Sequence, residues 1–196
     1  MEPVVLSRDD GGATQPIADP IETARLRLVP WHESHREPFA RLAADPDVTR
    51  YIGAGRPLVR GEADATFDRM LDHWRRHGFG WRAVFVREDV EAFVGFVGLN
   101  HLPPGTPGLS ESEVEIGWWL AQRAWGQGFA SEGAVALRDE AFGRLGLAAI
   151  VARVQTPNAA SRRVCDKLGM VHARTVTDAR YGVRVAVFEL GRSPRR

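Results

Sequence analysis

The chain has 196 residues, of which 44% are apolar and 26% are charged, a composition that is ordinary for a globular protein and a length that favours one domain. Its 26 basic and 25 acidic residues leave a net charge of +1, so composition gives no argument for direct nucleic-acid binding. With one cysteine, no membrane-length apolar run and no secretion signal, we expect a cytoplasmic protein without disulfides, multi-cysteine metal sites or a membrane partner.

The two ends of the chain differ from its middle. Residues 1–19 have no periodic apolar pattern and predict a disordered N-terminal tail, and residues 192–196 form a short C-terminal tail. Residues 20–191 contain no convincing linker and no internal repeat. We therefore expect them to form a single domain.

The first half of this domain predicts a strand, two helices and a hairpin. Alternating apolar residues indicate a strand at 21–29, and a helix that Glu33 opens follows it. Residues 61–78 carry apolar side chains along one side, which predicts a second helix. Two strand-like runs at 81–87 and 93–99, separated by a polar turn, predict a hairpin.

Two histidines of the second predicted helix have a spacing that can serve a metal ion. His73 and His77 lie four residues apart, so both face the same side of the helix. No third ligand lies nearby in the sequence. We therefore interpret the pair as part of a solvated helical face and predict no metal site.

The second half of the domain is organised around residues 114–132. An apolar and aromatic run at 114–120 predicts a strand, Gly126 and Gly128 interrupt it, and a stripe of apolar residues then predicts a helix. The first N–H groups of a helix lack intrahelical partners and lie at the positive end of its dipole, so such a turn can hold a phosphate. Taken alone, an ordinary tight turn is the better interpretation of the two glycines.

Four further elements complete the predicted domain. Residues 148–154 predict a strand, residues 158–169 predict a helix that Asn158 caps, and residues 171–177 and 183–190 predict two closing strands. The order of elements predicts an α/β (α+β) fold in which a mixed central sheet of about seven strands carries helices on both faces.

Two motifs in this second half carry a family resemblance. The patterns Arg123-x-x-Gly126-x-Gly128 and Asn158-x-x-Ser161 resemble signatures of the GCN5-related N-acetyltransferases (GNAT), in the ribosomal-protein N-terminal acetyltransferase or RimJ/RimL-like branch. The resemblance implies a single-domain GNAT fold with a splayed central strand pair. It also implies acetyl-coenzyme A (acetyl-CoA) as co-substrate and a primary amine as acceptor.

The same resemblance implies binding roles for individual residues. It places the pyrophosphate of acetyl-CoA on the glycine turn and a backbone N–H of the central strand beside the thioester oxygen. The implied cofactor-binding residues are Trp118, Leu120, Arg123, Gly126, Gln127, Gly128, Phe129, Ala130, Ser131, Asn158, Ser161 and Arg163.

Amide formation from a thioester requires a neutral amine, whose proton a carboxylate or a water wire can remove. Glu115 on the predicted central strand is the first candidate for this base. Glu113 is the second candidate, since it lies two residues earlier on the same predicted strand face. A solvent-facing strand edge is an equally good interpretation of both carboxylates.

The departing thiolate needs a hydrogen-bond donor. The tyrosine general acid that is frequent in the superfamily falls at Cys165 in this sequence, and the resemblance points instead to Ser161 as the second catalytic residue. We interpret Cys165 as a small buried apolar side chain, because no histidine lies near it in the sequence. Direct transfer in a ternary complex is therefore the expected route.

The sequence leaves the acceptor and the assembly open. The acceptor is a protein N-terminus or, alternatively, a small amine or an aminoglycoside, and the protein is a monomer or a homodimer. A non-catalytic acyl-CoA-binding module that kept the cofactor turn is the alternative from another functional class.

Overall fold

The computed structural model of the chain describes residues 18–110 and 112–192. Most of the two predicted tails, residues 1–17 and 193–196, lies outside the described residues. The structural account below therefore concerns the domain that the sequence predicts between the tails.

An eight-stranded sheet forms the middle of the domain. Its strands are β1 Ile21–Glu22, β2 Leu26–Pro30, β3 Trp81–Val86, β4 Asp89–His101, β5 Val114–Leu120, β6 Ala149–Gln155, β7 Val171–Asp178 and β8 Val183–Gly191. They lie in the order β1-β2-β3-β4-β5-β6-β8-β7. Every neighbouring pair is antiparallel except β5 and β6, which run parallel.

The sequence predicts about seven strands, and the eighth arises at the start of the sheet. The single strand expected at residues 21–29 is divided by a turn in which Thr23 Oγ1 accepts a 2.9 Å hydrogen bond from the Leu26 N–H. The Thr23 N–H donates in turn to the Leu26 carbonyl at 2.9 Å. Because these bonds replace ladder bonds, the chain folds back and β1 pairs antiparallel with β2.

The described residues contain five α-helices, one more than the sequence predicts, and these cover both faces of the sheet as expected. They are α1 Arg36–Ala43, α2 Pro46–Thr49, α3 Arg60–His77, α4 Phe129–Phe142 and α5 Ala159–Leu168. On one face, α1 and α3 bury Phe39 and Phe67 against Phe96 of β4. On the other face, α4 and α5 bury Leu137 and Leu168. Within the described residues, none of the helices is both long enough and apolar enough to cross a membrane.

A buried ion pair joins the sheet to α4. Arg82 of β3 has a side chain that is only 1% exposed, and it donates to Glu140 of α4 at 2.7 Å and to the Asp19 carbonyl at 3.1 Å. Asp19 and the partly buried Ala18 fall within the predicted tail, so ordered contacts begin earlier than expected. Loss of one member of such a pair leaves a buried charge uncompensated, which typically costs about 3–5 kcal/mol.

The parallel pair opens the centre of the sheet. β5 pairs with β4 along its full length, but it shares with β6 a single registered pair, Glu115 with Val151. Beyond that pair the two strands separate, and the backbone of residues 117–120 has no registered partner on its β6 side. The structure thus contains the splayed central strand pair that the resemblance implies.

Candidate active site

A cavity of about 1080 Å³ opens where β5 and β6 separate. We name its two sides after the helices that form them. The α4 wall consists of the cavity-lining residues within 124–131 and 158–167, and the α3 wall of those within 47–53 and 66–77 together with Tyr181. Residues of β5 and β6 form the base between the two walls.

The α4 wall begins with bare backbone. Gly126 and Gly128 have φ angles of 74° and 81°, in the left-handed region that favours glycine, and a Cβ built on Gly126 would meet nothing within 4 Å. α4 begins at Phe129, and no side chain in the described part of the chain caps it. Among the described residues, the first N–H groups of α4 therefore lack a side-chain partner at the edge of the cavity. This arrangement is the one that binds phosphate or pyrophosphate.

Residues from the start of the sheet hold this turn from behind. Arg25 Nη1 donates to the Gln127 carbonyl at 2.9 Å, and the Arg25 guanidinium pairs with Glu132 at 2.7 Å. The Glu132 carboxylate also accepts hydrogen bonds from Thr23 Oγ1 at 2.6 Å and from the Arg25 N–H at 2.8 Å. Burial raises the pKa of Glu132, but the hydrogen bonds from Thr23 and Arg25 lower it further, so that this pKa lies below its ordinary value. We name these contacts the Arg25–Glu132 clamp.

Most residues that the resemblance assigns to cofactor binding line the cavity. They are Trp118, Leu120, Gly126, Gly128, Phe129, Ala130, Ser131, Asn158, Ser161 and Arg163. Arg123 and Gln127 do not line it. The Arg123 guanidinium donates to the Phe93 carbonyl, and Gln127 Nε2 donates to the Arg123 carbonyl at 2.6 Å. The Gln127 hydrogen bond lies within the turn, and the Arg123 hydrogen bond connects the turn to β4.

The start of α5 presents a serine hydroxyl to the cavity. Asn158 is the N-cap as predicted, and its Oδ1 accepts a 3.0 Å hydrogen bond from the Ser161 N–H. Trp118 Nε1 donates to Ser161 Oγ at 3.2 Å. Because an indole N–H can only donate, the Ser161 oxygen is the acceptor in this contact and its own hydrogen stays available for another group.

Glu115 lies at the base of the cavity, on β5 and beside the point where the sheet opens. Burial raises its pKa to about 7, while the charge of Arg153 and a hydrogen bond from the Arg153 backbone act in the opposite direction. A carboxyl with this pKa changes its protonation state near neutral pH. It is therefore suited to proton transfer.

Glu113 and Glu115, two residues apart in the sequence, lie in different environments. β5 begins at Val114, so Glu113 lies before the strand and not on its face as the alternation predicts. Its carboxylate accepts from the Ser110 N–H at 2.6 Å and pairs with Arg174 at 3.1 Å, and Glu113 does not line the cavity. Of the two carboxylates, only Glu115 lines the cavity.

Cys165 lies in the core under α5, as the sequence interpretation expects. Its side chain is fully buried among the apolar residues that α4 and α5 cover. Burial raises the pKa of the Cys165 thiol to about 12. The thiol therefore stays protonated at neutral pH and is not available as a nucleophile.

The prediction of a solvated face at His73 and His77 is wrong for His73, which is 6% exposed. His73 Nδ1 lies 2.9 Å from the Phe79 carbonyl, and Nε2 accepts a 3.0 Å hydrogen bond from the His101 N–H. Burial lowers its pKa to about 4, so the ring is neutral. Both nitrogens are engaged, and the described residues contain no group of three or more ligands arranged for a metal ion.

A family model described as an acetyltransferase (GNAT) domain matches residues 25–171, which include β2 to β6, the glycine turn and α5. The chain belongs to the GNAT acetyltransferases. The fold prediction is thereby confirmed, and acetyl-CoA is the co-substrate of this family.

Individual relatives agree with this assignment. The chain is 34% identical over 158 residues to an "FsC-acetyl coenzyme A-N(2)-transacetylase" of Aspergillus fumigatus, a match that covers 79% of this chain and 66% of the relative. The chain thus spans just under two thirds of that protein. It is also 30% identical over 158 residues to the uncharacterized protein YkkB of Bacillus subtilis, with coverage of 77% and 83%.

Solved structures give the same fold. An acetyltransferase from Agrobacterium tumefaciens superposes with a TM-score of 0.75 at 28% identity, covering 95% of this chain and all of the other. RimL, a ribosomal L7/L12 alpha-N-protein acetyltransferase solved with coenzyme A, superposes with a TM-score of 0.72 at 18% identity, covering 88% and 98%. At that identity RimL shows the fold alone. The GNAT protein described here is an acetyl-CoA-dependent N-acetyltransferase.

Proposed function

We propose that this GNAT protein transfers an acetyl group directly to a primary α-amine in a ternary complex, with Glu115 as general base and Ser161 as hydrogen-bond donor to the departing sulfur. The observation that carries the proposal is the position of Glu115. Its carboxyl has a raised pKa and lies at the base of the cavity, where β5 and β6 separate.

The α4 wall fits acetyl-CoA, which supplies an acetyl thioester when bound. The bare N–H groups at the start of α4 suit its pyrophosphate, and the open space above Gly126 lets that group approach the backbone. Arg163 and Lys167 on α5 add positive charge on the same wall. The free backbone of residues 117–120 offers N–H groups for the pantetheine arm and for the thioester oxygen.

The proton of the acceptor goes to Glu115. An unperturbed α-amino group has a pKa of about 8 and a lysine side chain one of about 10.4. The pKa of Glu115, about 7, is closer to that of the α-amine, so proton transfer from an α-amine is more favourable than from a lysine. The neutral amine then attacks the thioester carbon, so that the nitrogen–carbon bond forms, the carbon–sulfur bond breaks and the electron pair of that bond leaves with the sulfur. Ser161 donates a hydrogen bond to this thiolate and keeps its proton. The second proton, which the nitrogen loses on becoming an amide, passes through solvent to the thiolate.

The charge of the α3 wall supports the choice among acceptors. A polycationic aminoglycoside requires an acidic groove, whereas this wall carries Arg50, Arg69 and Arg76. A peptide N-terminus, as in the RimJ/RimL-like branch, is therefore the acceptor that we propose. A small α-amine is the second candidate, favoured by the relative whose name specifies an N(2) position.

Purified protein mixed with acetyl-CoA and an acceptor panel tests this proposal. The panel contains short peptides with free and blocked N-termini, small α-amino compounds and an aminoglycoside. We expect release of the coenzyme A thiol and a mass increase of one acetyl group on the free α-amine. Acetyl-CoA binding without thiol release for every acceptor would support the non-catalytic alternative, and turnover of the aminoglycoside alone would contradict the acceptor assignment.

A further inference from the structure

Three arginines on the α3 wall are not explained by the transfer reaction itself. Arg69 and Arg76 lie seven residues apart on the side of α3 that lines the cavity, and Arg50 follows α2 and lines the same cavity. All three are exposed residues. They share with Glu115 one continuous space, so an acceptor whose amine reaches Glu115 lies within the field of these charges.

The three guanidinium groups lack carboxylate partners within residues 18–110 and 112–192. Arg69 donates to Thr66 Oγ1 at 2.8 Å, and Arg76 donates to the Asp72 carbonyl at 3.3 Å. Arg50 lies over the ring of Tyr51 at 5.4 Å. Most of their hydrogen-bond donors therefore remain available to a ligand.

Arginines elsewhere on the same helix are different. Arg60 pairs with Asp64 at 2.8 Å, and Arg75 pairs with Asp72 at 3.1 Å. Neither of these paired arginines lines the cavity. The distribution of partners thus divides α3 into a side whose charges are neutralised and a cavity side whose charges are not.

The acidic residues of the cavity do not cancel this charge. Asp178 is paired with Arg153 at 2.9 Å. Asp47 keeps its negative charge, because its partner Gln122 is neutral, but one carboxylate does not balance three guanidinium groups. Glu115 is partly protonated near neutral pH, because its pKa is about 7. The acceptor side of the cavity therefore carries a net positive charge.

We propose that the acceptor is an acidic peptide N-terminus whose side-chain carboxylates bind Arg69 and Arg76 while its α-amine lies at Glu115. This inference rests on the proposed function and narrows its substrate class. Seven residues of α-helix rise about 10 Å, and an extended peptide covers that length with about three residues. A single amino acid is too short to reach both arginines, so the spacing favours a peptide with more than one carboxylate near its N-terminus.

Arg50 adds a third guanidinium group to the same α3 wall. Because guanidinium groups bind carboxylates through two parallel hydrogen bonds, arginine is the appropriate residue for this recognition. In this scheme Arg69 and Arg76 are specificity-determining residues and take no part in the chemical step.

Matched peptides test the inference. We would measure kcat/KM with acetyl-CoA for peptides of equal length that carry acidic, neutral or basic side chains at positions 2–4, and for a small amino dicarboxylate. We expect kcat/KM for the acidic peptide to exceed that for the neutral peptide by about 10- to 100-fold, through KM. Raising the salt concentration should reduce this preference, since screening weakens interactions between exposed charges.

Substitutions locate the preference. Arg69→Leu or Arg76→Leu should each reduce the acidic-to-neutral ratio about tenfold, and Arg69→Lys should retain part of it. Arg75→Leu is the matched control, because it removes an arginine from the paired side of the same helix. Melting temperatures and the activity on the neutral peptide show whether each variant is folded.

The failures can be told apart. Absence of turnover for every peptide and for the small amino dicarboxylate contradicts the proposed function itself. Equal kcat/KM for acidic and neutral peptides, or an Arg69→Leu variant that raises KM for acetyl-CoA and not for the acceptor, overturns the anionic acceptor alone. A small amino dicarboxylate that is used better than every peptide overturns the assignment to a peptide.

Discussion

The two walls of the cavity are built in different ways. The α4 wall presents bare backbone at its turn, since the turn contains two glycines with positive φ and its helix begins without a side-chain cap in the described residues. The α3 wall presents side chains from α2, α3 and the turn between β7 and β8. Backbone N–H groups are available whatever the side chains are, whereas a basic wall depends on each arginine. We therefore expect the first wall to set the co-substrate and the second to set the acceptor.

The base between the walls should give the largest effect. Glu115→Gln removes the proton acceptor and leaves the α4 wall unchanged, so kcat/KM for the amine should fall about 10²- to 10⁴-fold with little change in acetyl-CoA affinity. Steady-state kinetics and calorimetric titration with acetyl-CoA measure the two quantities. Glu113→Gln is the matched control, because Glu113 is bound to Arg174 outside the cavity. A similar loss in both variants would contradict the assignment of Glu115.

The pH dependence follows from the raised pKa of Glu115. Only the ionised carboxylate accepts a proton, and its pKa is about 7 instead of the ordinary 4.5. Activity should therefore rise with pH through 7, and the ionised fraction should fall about 50-fold between pH 7 and pH 5. A pH profile of kcat/KM measures this limb. Glu115→Gln should lose it and keep the separate limb of the acceptor amine near its own pKa, and a limb that persists in the variant belongs to another group.

Ser161→Ala tests the contribution of the α4 wall to the chemical step. Loss of a hydrogen bond to a developing thiolate costs about 1.5–3 kcal/mol, which corresponds to a kcat about 10- to 100-fold lower. Acetyl-CoA affinity should change little, since the proposed pyrophosphate site consists of N–H groups at the start of α4 and does not use the Ser161 hydroxyl. Rescue of kcat by Ser161→Thr, which restores a hydroxyl, distinguishes this role from a purely structural one. An unchanged kcat in Ser161→Ala would exclude the role.

Gly126→Val should affect the co-substrate alone. A β-branched residue at a φ of 74° is strained by about 1–2 kcal/mol, and its side chain would occupy the open space through which the phosphate approaches the turn. We expect the KM for acetyl-CoA to rise about tenfold while the preference among acceptors stays constant. Gly146→Val is the control, because Gly146 also has a positive φ, of 63°, but does not line the cavity. A changed acceptor preference would contradict the expectation that the α4 wall sets the co-substrate alone and the α3 wall sets the acceptor.

The α4 wall could be predicted from the sequence because its determinants are local. Gly126 and Gly128 lie beside a helix start, and the Asn158 cap is decided within three residues. The position of the Arg123 side chain could not be predicted in this way, and its role in cofactor binding stays a prediction. A motif records which residue is present but not where a long side chain turns, and this one turns to the Phe93 carbonyl.

The α3 wall could not be predicted because chain folding assembles it from distant segments. Arg50, Arg69 and Tyr181 meet at one cavity only after the sheet has formed. Whether Glu113 or Glu115 lies on the central strand likewise depends on where β5 begins. It begins at Val114, and the alternation of apolar and polar residues does not locate that boundary. His73 was misjudged for a related reason, since its partner His101 lies on β4.

The Arg25–Glu132 clamp couples the first edge of the sheet to the binding of acetyl-CoA. The Arg25 N–H is bound to the Glu132 carboxylate, and Glu132 lies in the first turn of α4. A ligand that stabilises the first turn of α4 should also reduce local opening at residues 23–26, because the Glu132 carboxylate connects the two segments. Amide hydrogen exchange at Arg25 should therefore slow when acetyl-CoA binds, so the beginning of the sheet reports on occupancy at its centre.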